Sequence, residues 1–471
     1  MPPRAAPTAR HHTIKSHTIT PNFIKPGEAS MSLFGAMSTA ISGLNAQSAA
    51  FSNISDNIAN SQTVGFKGTD TSFIDYLTSS TATQNTSGSV ATNPTYLNDV
   101  QGTIAQSDNP LAMAITGQGF FPVSLPVQAI TGTSAGATVQ QFNPDQTYTR
   151  TGDFSVNNDG YLVNSAGEYL NGWPVNPSSG VVDTNSLSPI QVTHSVLDPV
   201  PTSNITMTAN LPATPSSNVP VSSQVTVYDG LGTSHLIDLN WTQNAANDWT
   251  VSLSSPDDVT ASALGTAEVK FGTASGNGVA DGTVGALGTA TGSITTSGFA
   301  SGSPATLSFT TNFGQGNQTI NLNLGNYGSS SGLTQYAGTT YSLGGLTQDG
   351  LPPGTYSSIS TQASGNVVIN YSNGQTRTIA QVPIITFSNP NALQRQNGQA
   401  FTATPGSGLP VANAAGVNGA GTLVVGSVED SNVDIATEFS KLIVAQRAYS
   451  SNAKLITTAD DMMQTTIDMK R

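Results

Sequence analysis

The sequence predicts a mainly β protein with an α-helix at each end, and three observations carry that prediction. Near the start, Phe34, Met37, Ile41, Leu44, Ser48, Phe51, Ser55 and Ile58 advance by alternating threes and fours. Near the end, Ile435, Phe439, Leu442, Gln446, Tyr449, Ala453, Ile456, Asp460, Met463 and Ile467 keep the same rhythm. That spacing lays a narrow seam along one face of a helix, as packing against another helix requires. Between these runs Gly, Ser, Thr and Asn dominate, and short apolar stretches alternate with turn residues, the pattern of strands and hairpins. A chain that keeps its helices for its two ends is expected to use them to assemble with copies of itself.

Composition narrows the function classes. At 471 residues, core size does not limit folding. Charged residues make up 9% of the chain, against roughly 25% in ordinary soluble domains. The net charge of −13 and the lack of any basic stripe argue against nucleic acid as a partner. Most of the 14 Lys and Arg lie before Met31 or after Phe439, which leaves Lys67, Arg150, Lys270, Arg377 and Arg395 for the long middle. Cysteine is absent, so disulfides and thiolate metal sites are excluded. No run of about 20 apolar residues occurs, and no membrane insertion is expected.

Residues 1–30 form a basic leader with Arg4, Arg10, Lys15 and Lys25 and no apolar segment of the secretory type. They read as a disordered leader or as sequence upstream of a start at Met31, the second being favoured because helical periodicity begins there. The first helix is expected over 31–60. Gly43 costs it roughly 1 kcal/mol relative to Ala, and Ser48 and Ser55 weaken its seam, so it should be disordered in the free monomer and order under neighbours. Residues 61–99 read as an extended connector with short strands. An inner β-domain is expected from 100–200 together with 380–428. Its strands include Leu111–Ile115, Phe120–Val123, Tyr148–Arg150, Phe154–Val156 and Tyr161–Val163, with Asn158-Asp159-Gly160 as a hairpin turn. An outer β-domain over 201–379 is inserted between these flanks, with strands Val225–Tyr228, Leu236–Trp241 and Trp249–Leu253. Within it, residues 272–304 are low in complexity and read as a surface insertion or a loosely packed face. The C-terminal helix occupies 429–471. Ser431, three residues before Asp434, offers a capping box, with Glu438 near the positive end of the dipole and Lys470 and Arg471 at the negative end.

No motif favours catalysis, a cofactor or a metal. Asp460-Asp461 point about 100° apart on a helix and read as a solvated or inter-subunit face. His11, His12 and His17 sit in the leader, while His194 and His235 have no ligand-spaced partners. Gly117-Gln118-Gly119 before Phe120-Phe121 reads as a tight turn feeding a buried strand, since a phosphate cradle needs a strand–loop–helix setting. Gln446 at a seam position can fix helix register, or it is a partly exposed notch. Met462 and Met463 mark either an adaptable contact surface or helix core.

Several segments resemble one family. Asn57-Ile58-Ala59-Asn60 and Thr63-Val64-Gly65-Phe66-Lys67 resemble the N-terminal signature of bacterial flagellar rod and hook proteins, with Asp56 where Asn is common. The tail from Ser431-Asn432-Val433-Asp434 through Gln446-Arg447-Ala448-Tyr449 to Met469-Lys470-Arg471 is similar to their shared C-terminal helix. Asn109-Pro110-Leu111, Gly117 to Phe121, Tyr148 to Phe154, Asp159-Gly160-Tyr161, Phe387 to Pro390 and Gly398 to Gly408 agree as well. The large middle, with Tyr228 to Gly232 near its start, looks like the outer region of hook members more than like the shorter distal rod members.

The resemblance implies that the terminal helices pair as a coiled coil lining a tube, with β-domains stacked outside. It implies a structural subunit of the extracellular hook, a flexible universal joint passing torque from basal body to filament, exported through the flagellar secretion channel without a cleaved signal. Expected partners are copies of itself, the hook cap, distal rod and hook–filament junction proteins, and the export apparatus. A rod or other axial protein is the alternative, and a secreted β-rich adhesin or enzyme a remote one. Polymerisation would rest on Phe34, Met37, Ile41, Leu44, Phe51, Asn57, Ile58, Asn60, Gly65, Phe66 and Lys67 at the N-terminal side. At the C-terminal side it would rest on Ile435, Phe439, Leu442, Gln446, Arg447, Tyr449, Ile456, Met463 and Ile467.

Overall fold

A computed structural model describes residues 33–80, 85–131, 138–177, 179–215 and 219–469. The expectations for residues 1–30 and for Lys470 and Arg471 lie outside the described residues. Two compact units form: one from the chain up to Ala59, Thr69–Tyr96 and Asp434 onward, the other from Asn60–Gly68 and Leu97–Val433.

In the first unit, helix α1 spans Leu33–Ala59 and helix α2 spans Ile435–Asp468, close to the expected bounds. The start of α2 differs from the expectation. Its cap is Asp434, whose carboxylate accepts a hydrogen bond from Thr437 N at 2.7 Å, while Ser431 Oγ accepts from Val433 N before the helix begins. Asp434 stands where the backbone turns from extended to helical, so its full negative charge meets the free amides directly.

The stretch expected to be a connector is instead a long hairpin. Strands β1 (Thr69–Ser80) and β2 (Asn85–Tyr96) pair antiparallel over almost their whole length, with shifts of register near Tyr76 and Leu77. No apolar alternation announced them. Thr and Ser fill both strands, and cross-strand contacts such as Ser72 Oγ to Thr95 Oγ1 at 2.8 Å replace it.

The second unit holds two main cores. One lies between a five-stranded antiparallel meander and a six-stranded sheet. The meander runs Val221–Tyr228, Ser234–Ala245, Asp248–Ser254, Ala263–Phe271 and Val284–Ala290 in order. The six-stranded sheet is built around Asn204–Asn210, Pro304–Asn312 and Asn317–Asn326. Every second residue points inward, placing Trp241, Trp249, Val251, Leu253, Phe271, Phe309, Ile320 and Leu322 in one buried cluster. Residues 272–304 are not a surface insertion. They contribute an edge strand and bury Val284 and Ile294 in this core. Their low-complexity glycines serve turns that only a residue without Cβ fits: at Gly292 (φ 68°) a Cβ would meet Leu264 O at 2.3 Å.

The other core draws on both flanks. An eleven-stranded sheet joins Phe121–Ser124, Thr147–Thr149 and Tyr169–Pro174 to Ala400–Thr402 and Gln394–Arg395. Tyr356–Thr361, Asn366–Tyr371 and Thr376–Gln381 extend the same sheet, with Trp173 opposite Gln381. The chain therefore returns to this sheet before Tyr356, earlier than the expected boundary at 380. These strands alternate as the preceding ones do, and only their pairing partners separate the two cores. Gly117 (φ 99°) and Gly119 (φ 133°) form the expected tight turn ahead of the fully buried Phe120 and Phe121.

Candidate assembly surface and the junctions at the chain ends

In the first unit α1 and α2 run antiparallel against each other, with Gly43 beside Asn452, Phe51 edge-on to Tyr449 at 6.4 Å, and Asn57 beside Glu438. The contact follows only part of the heptad lines read from the sequence, keeping Phe51 and Tyr449 in it. The buried residues of α1 are Ala40, Ala46, Ala50, Ile54 and Asn57, and those of α2 are Glu438, Ala445 and Ala459. Nearly all of these stand one residue before a predicted seam position, a rotation of about 100°. Small side chains explain the choice of face, because a stripe of Ala and Gly lets two backbones approach more closely than Phe, Met and Leu would.

The predicted seam is thereby left in part outside the pairing. Phe34 is 66% exposed and Phe439 51% exposed. Ile41, Ile435, Gln446, Arg447, Tyr449 and Ile467 are also exposed, while Met37, Leu44, Phe51, Ile58, Leu442, Ile456 and Met463 are half-buried. On the hairpin, Phe73, Ile74, Tyr76 and Leu77 are exposed as well. A groove of about 390 Å³, walled by Ala50, Ile54, Phe73, Val444 and Ala445 among others, runs between α1, β1 and α2.

Asn57 ties this unit together. Its Oδ1 accepts from Thr69 N and its Nδ2 donates to Thr69 O, both at 2.9 Å, and Nδ2 also reaches Glu438 Oε2 at 3.1 Å. Lys441 Nζ completes the network, 2.9 Å from Glu438 Oε1 and 3.4 Å from Asp70. Burial would disfavour the Lys441 charge, but Glu438 and Asp70 outweigh it and its ammonium is held above the usual lysine range.

In the second unit the remaining motif residues build a different junction. Gly65 (φ 70°) donates its N–H to Glu429 O at 2.7 Å, and a Cβ there would meet Thr151 N at 2.6 Å. Phe66 is buried under the Arg395 guanidinium, 5.6 Å from the ring centre. Lys67 Nζ donates to Glu429 Oε1 at 2.5 Å and to Val100 O at 2.6 Å. Glu429 Oε2 accepts from Arg150 Nη1 at 2.9 Å. Asn432 Oδ1 accepts from Gly68 N, and its Nδ2 donates to Leu97 O and Val100 O. Asn60 closes the turn after α1, its carbonyl accepting from Thr63 N. Sequence reasoning missed Glu429, Glu438, Arg150 and Arg395 as junction residues. One signal was available: in a middle nearly devoid of cations, Lys67 and Arg150 needed a reason to exist.

Among the described residues no group of three or more His, Asp or Glu is placed to hold a metal, and no helix is long and apolar enough to cross a membrane.

Known proteins give this arrangement its class. Residues 37–67 match the model of flagella basal body rod proteins, and 424–469 the C-terminal region of the flagellar basal body rod FlgEFG proteins. Residues 114–211 match the D1 domain of flagellar hook protein FlgE/F/G, and 198–351 the D2 domain of flagellar basal body protein FlaE. Together they define an axial structural protein of the bacterial flagellum. The flagellar hook protein FlgE of Brucella suis is 30% identical over 446 residues, covering 94% of this chain and all of that protein. That of Salmonella typhimurium is 28% identical over 450 residues, covering 92% of this chain and all of that protein. The chain belongs to the flagellar hook protein FlgE family. It is a structural subunit of the hook and not an enzyme. A crystal structure of Helicobacter pylori FlgE2 shares 14% identity at a TM-score of 0.44, over 68% of this chain and 98% of that one.

Proposed function

We propose that this subunit polymerises through the heptad faces of α1 and α2 that its own helix pairing leaves open, building the tubular universal joint between basal body and filament. The observation that carries this reading is the one-residue offset. The Ala/Gly stripe serves the contact inside the chain, so Phe34, Ile41, Ile435 and Phe439 remain for neighbouring copies. Subunits joined by such unlike surfaces related by a helical operator make a contact that does not close on itself, and a filament grows. The helices then form the coiled-coil lining of that tube. Gly65, Phe66 and Lys67 act by seating the chain as it leaves α1, and Asn57 by fixing α1 to the hairpin and α2.

Low surface charge suits a joint that bends in every turn. Of the five cations in the middle of the chain, Lys67 and Arg150 are buried on Glu429, Arg395 donates to the carbonyls of Lys67 and Gly68, and Lys270 pairs with Glu268 at 3.2 Å. Outer contacts between copies then rest on hydroxyls and amides, whose hydrogen bonds exchange with those of water at a small net cost. Export through the flagellar secretion channel in an unfolded state fits a first helix that gains its stability from packing and not from its own propensity. The hook cap, distal rod and hook–filament junction proteins are the further partners of this reading.

The test separates folding from assembly. Phe34→Asp and Phe439→Asp alter exposed side chains and should change protomer stability by no more than about 0.5 kcal/mol. Circular dichroism of the purified chain should be unchanged, while cells carrying either variant should show basal bodies without hooks by electron microscopy. Normal hooks from both would rule out the open seam as the polymerisation face.

A further inference from the structure

We infer that the Lys67–Glu429–Arg150 cluster is an ordered latch: the strand carrying Glu429 must be in place before the Gly65–Lys67 turn can dock. The Lys67, Glu429 and Arg150 side chains are almost wholly buried. Glu429 belongs to the strand Ser427–Glu429, paired with Ile104–Gln106, and its Oε1 also accepts from Gly102 N at 2.8 Å. Arg150 is anchored without Lys67, donating to Ile115 O at 3.1 Å and Gly117 O at 2.6 Å. Glu429 and Arg150 thus make a complete pair on their own, one carboxylate to one guanidinium.

Lys67 adds a second cation to that single carboxylate. The buried set then carries one positive charge in excess, and among the described residues the other carboxylate acting on Lys67 is Asp99, an exposed residue. Burial brings the Lys67 ammonium down to about 8 despite Glu429, with Arg150 pushing the same way. If Glu429 were absent, docking Lys67 would bury two like charges with no anion between them, which is strongly unfavourable. If Lys67 were absent, the Glu429–Arg150 pair and the strand ladder would persist. The dependence therefore runs one way: the segment before the C-terminal helix receives the segment after the N-terminal one. Gly65 reinforces it, since its N–H donates to the Glu429 carbonyl and needs that strand as well.

Amide hydrogen exchange on the full-length chain at neutral pH tests the asymmetry. Lys67→Met should leave the Ile104–Gln106 and Ser427–Glu429 amides as protected as in the parent. Glu429→Gln should speed exchange in residues 65–68 by roughly tenfold or more, with the Phe121–Ser124 strand as internal control. The double variant Lys67→Met/Glu429→Gln takes away one of the two cations that Glu429→Gln leaves without an anion, returns the buried set to a single positive charge on Arg150 with its carbonyl acceptors, and should restore part of that protection. If Glu429→Gln unfolds the whole β-region, the double variant must refold it. Equal loss at both segments in Lys67→Met, an unaffected turn in Glu429→Gln, or no rescue in the double variant would each overturn the latch.

Discussion

Glu168 shows how far the surroundings of one side chain govern its charge. Burial raises its carboxyl to about 7, with Asp153 adding to the rise, while the hydrogen bond from Asn164 Nδ2 at 2.7 Å pulls the other way. Its Oε1 is buried without a hydrogen-bond partner. The folded chain therefore holds this proton over a range where the unfolded chain, near 4.5, has released it. Stability contributed here is present at acid pH and lost as pH rises between about 4.5 and 7, after which it levels. Glu168→Gln keeps the acceptor for Asn164 and stays neutral. It should match the parent below pH 4.5 and exceed it above pH 7 by on the order of 3 kcal/mol. Urea unfolding at both pH values checks this, and an unchanged difference across the range would mean the carboxyl is not held neutral. Little of this was legible beforehand. Lys67 stood out in its motif, but its partner lies 362 residues away, and Glu168 owes its burial to neighbours that no local pattern identifies.

At the level of elements, the helices were the most legible part and their facing the least. The three-four rhythm correctly gave two helices, but the phase was off by one because size-weighted patterning favours Phe, Leu and Met over Ala and Gly. Gly43, which looked like a weakness, faces α2 at Asn452. A Cβ there would stand 2.8 Å from Asn452 Nδ2, the free end of a side chain that can swing aside. Gly43→Ala should thus come out within about 1 kcal/mol of neutral, helix propensity offsetting the displacement. Gly43→Leu has no such escape, because its bulk must part the helices, and it should cost roughly 1–3 kcal/mol. Thermal melting followed by helical circular dichroism distinguishes them. A Leu variant as stable as the parent would show that close approach at Gly43 does not matter. The hairpin was missed for the opposite reason: its Thr and Ser ladder carries no apolar rhythm, and its order comes from backbone pairing.

For the whole molecule, the mainly β class was readable from texture, whereas the part that residues 272–304 play in a core was not. Low complexity in residues 272–304 suggested dispensable surface, yet composition does not say whether a Gly-rich strand closes a sheet. Here it does. Val284–Ala290 pairs with Ala263–Phe271 and covers one edge of the meander, and Val284 and Ile294 fill the core that holds Trp241 and Trp249. Deleting 272–304 would uncover that edge and expose Phe271, which is fully buried, to water. Two large apolar positions lost from one core amount to several kcal/mol, a large share of what holds a domain of this size together. The deletion should therefore red-shift and broaden the fluorescence of Trp241 and Trp249, while Trp173, buried on the eleven-stranded sheet, keeps its own emission. Single-tryptophan variants separate the signals. An unshifted spectrum for Trp241 and Trp249 after the deletion would return residues 272–304 to the status of a passive insertion.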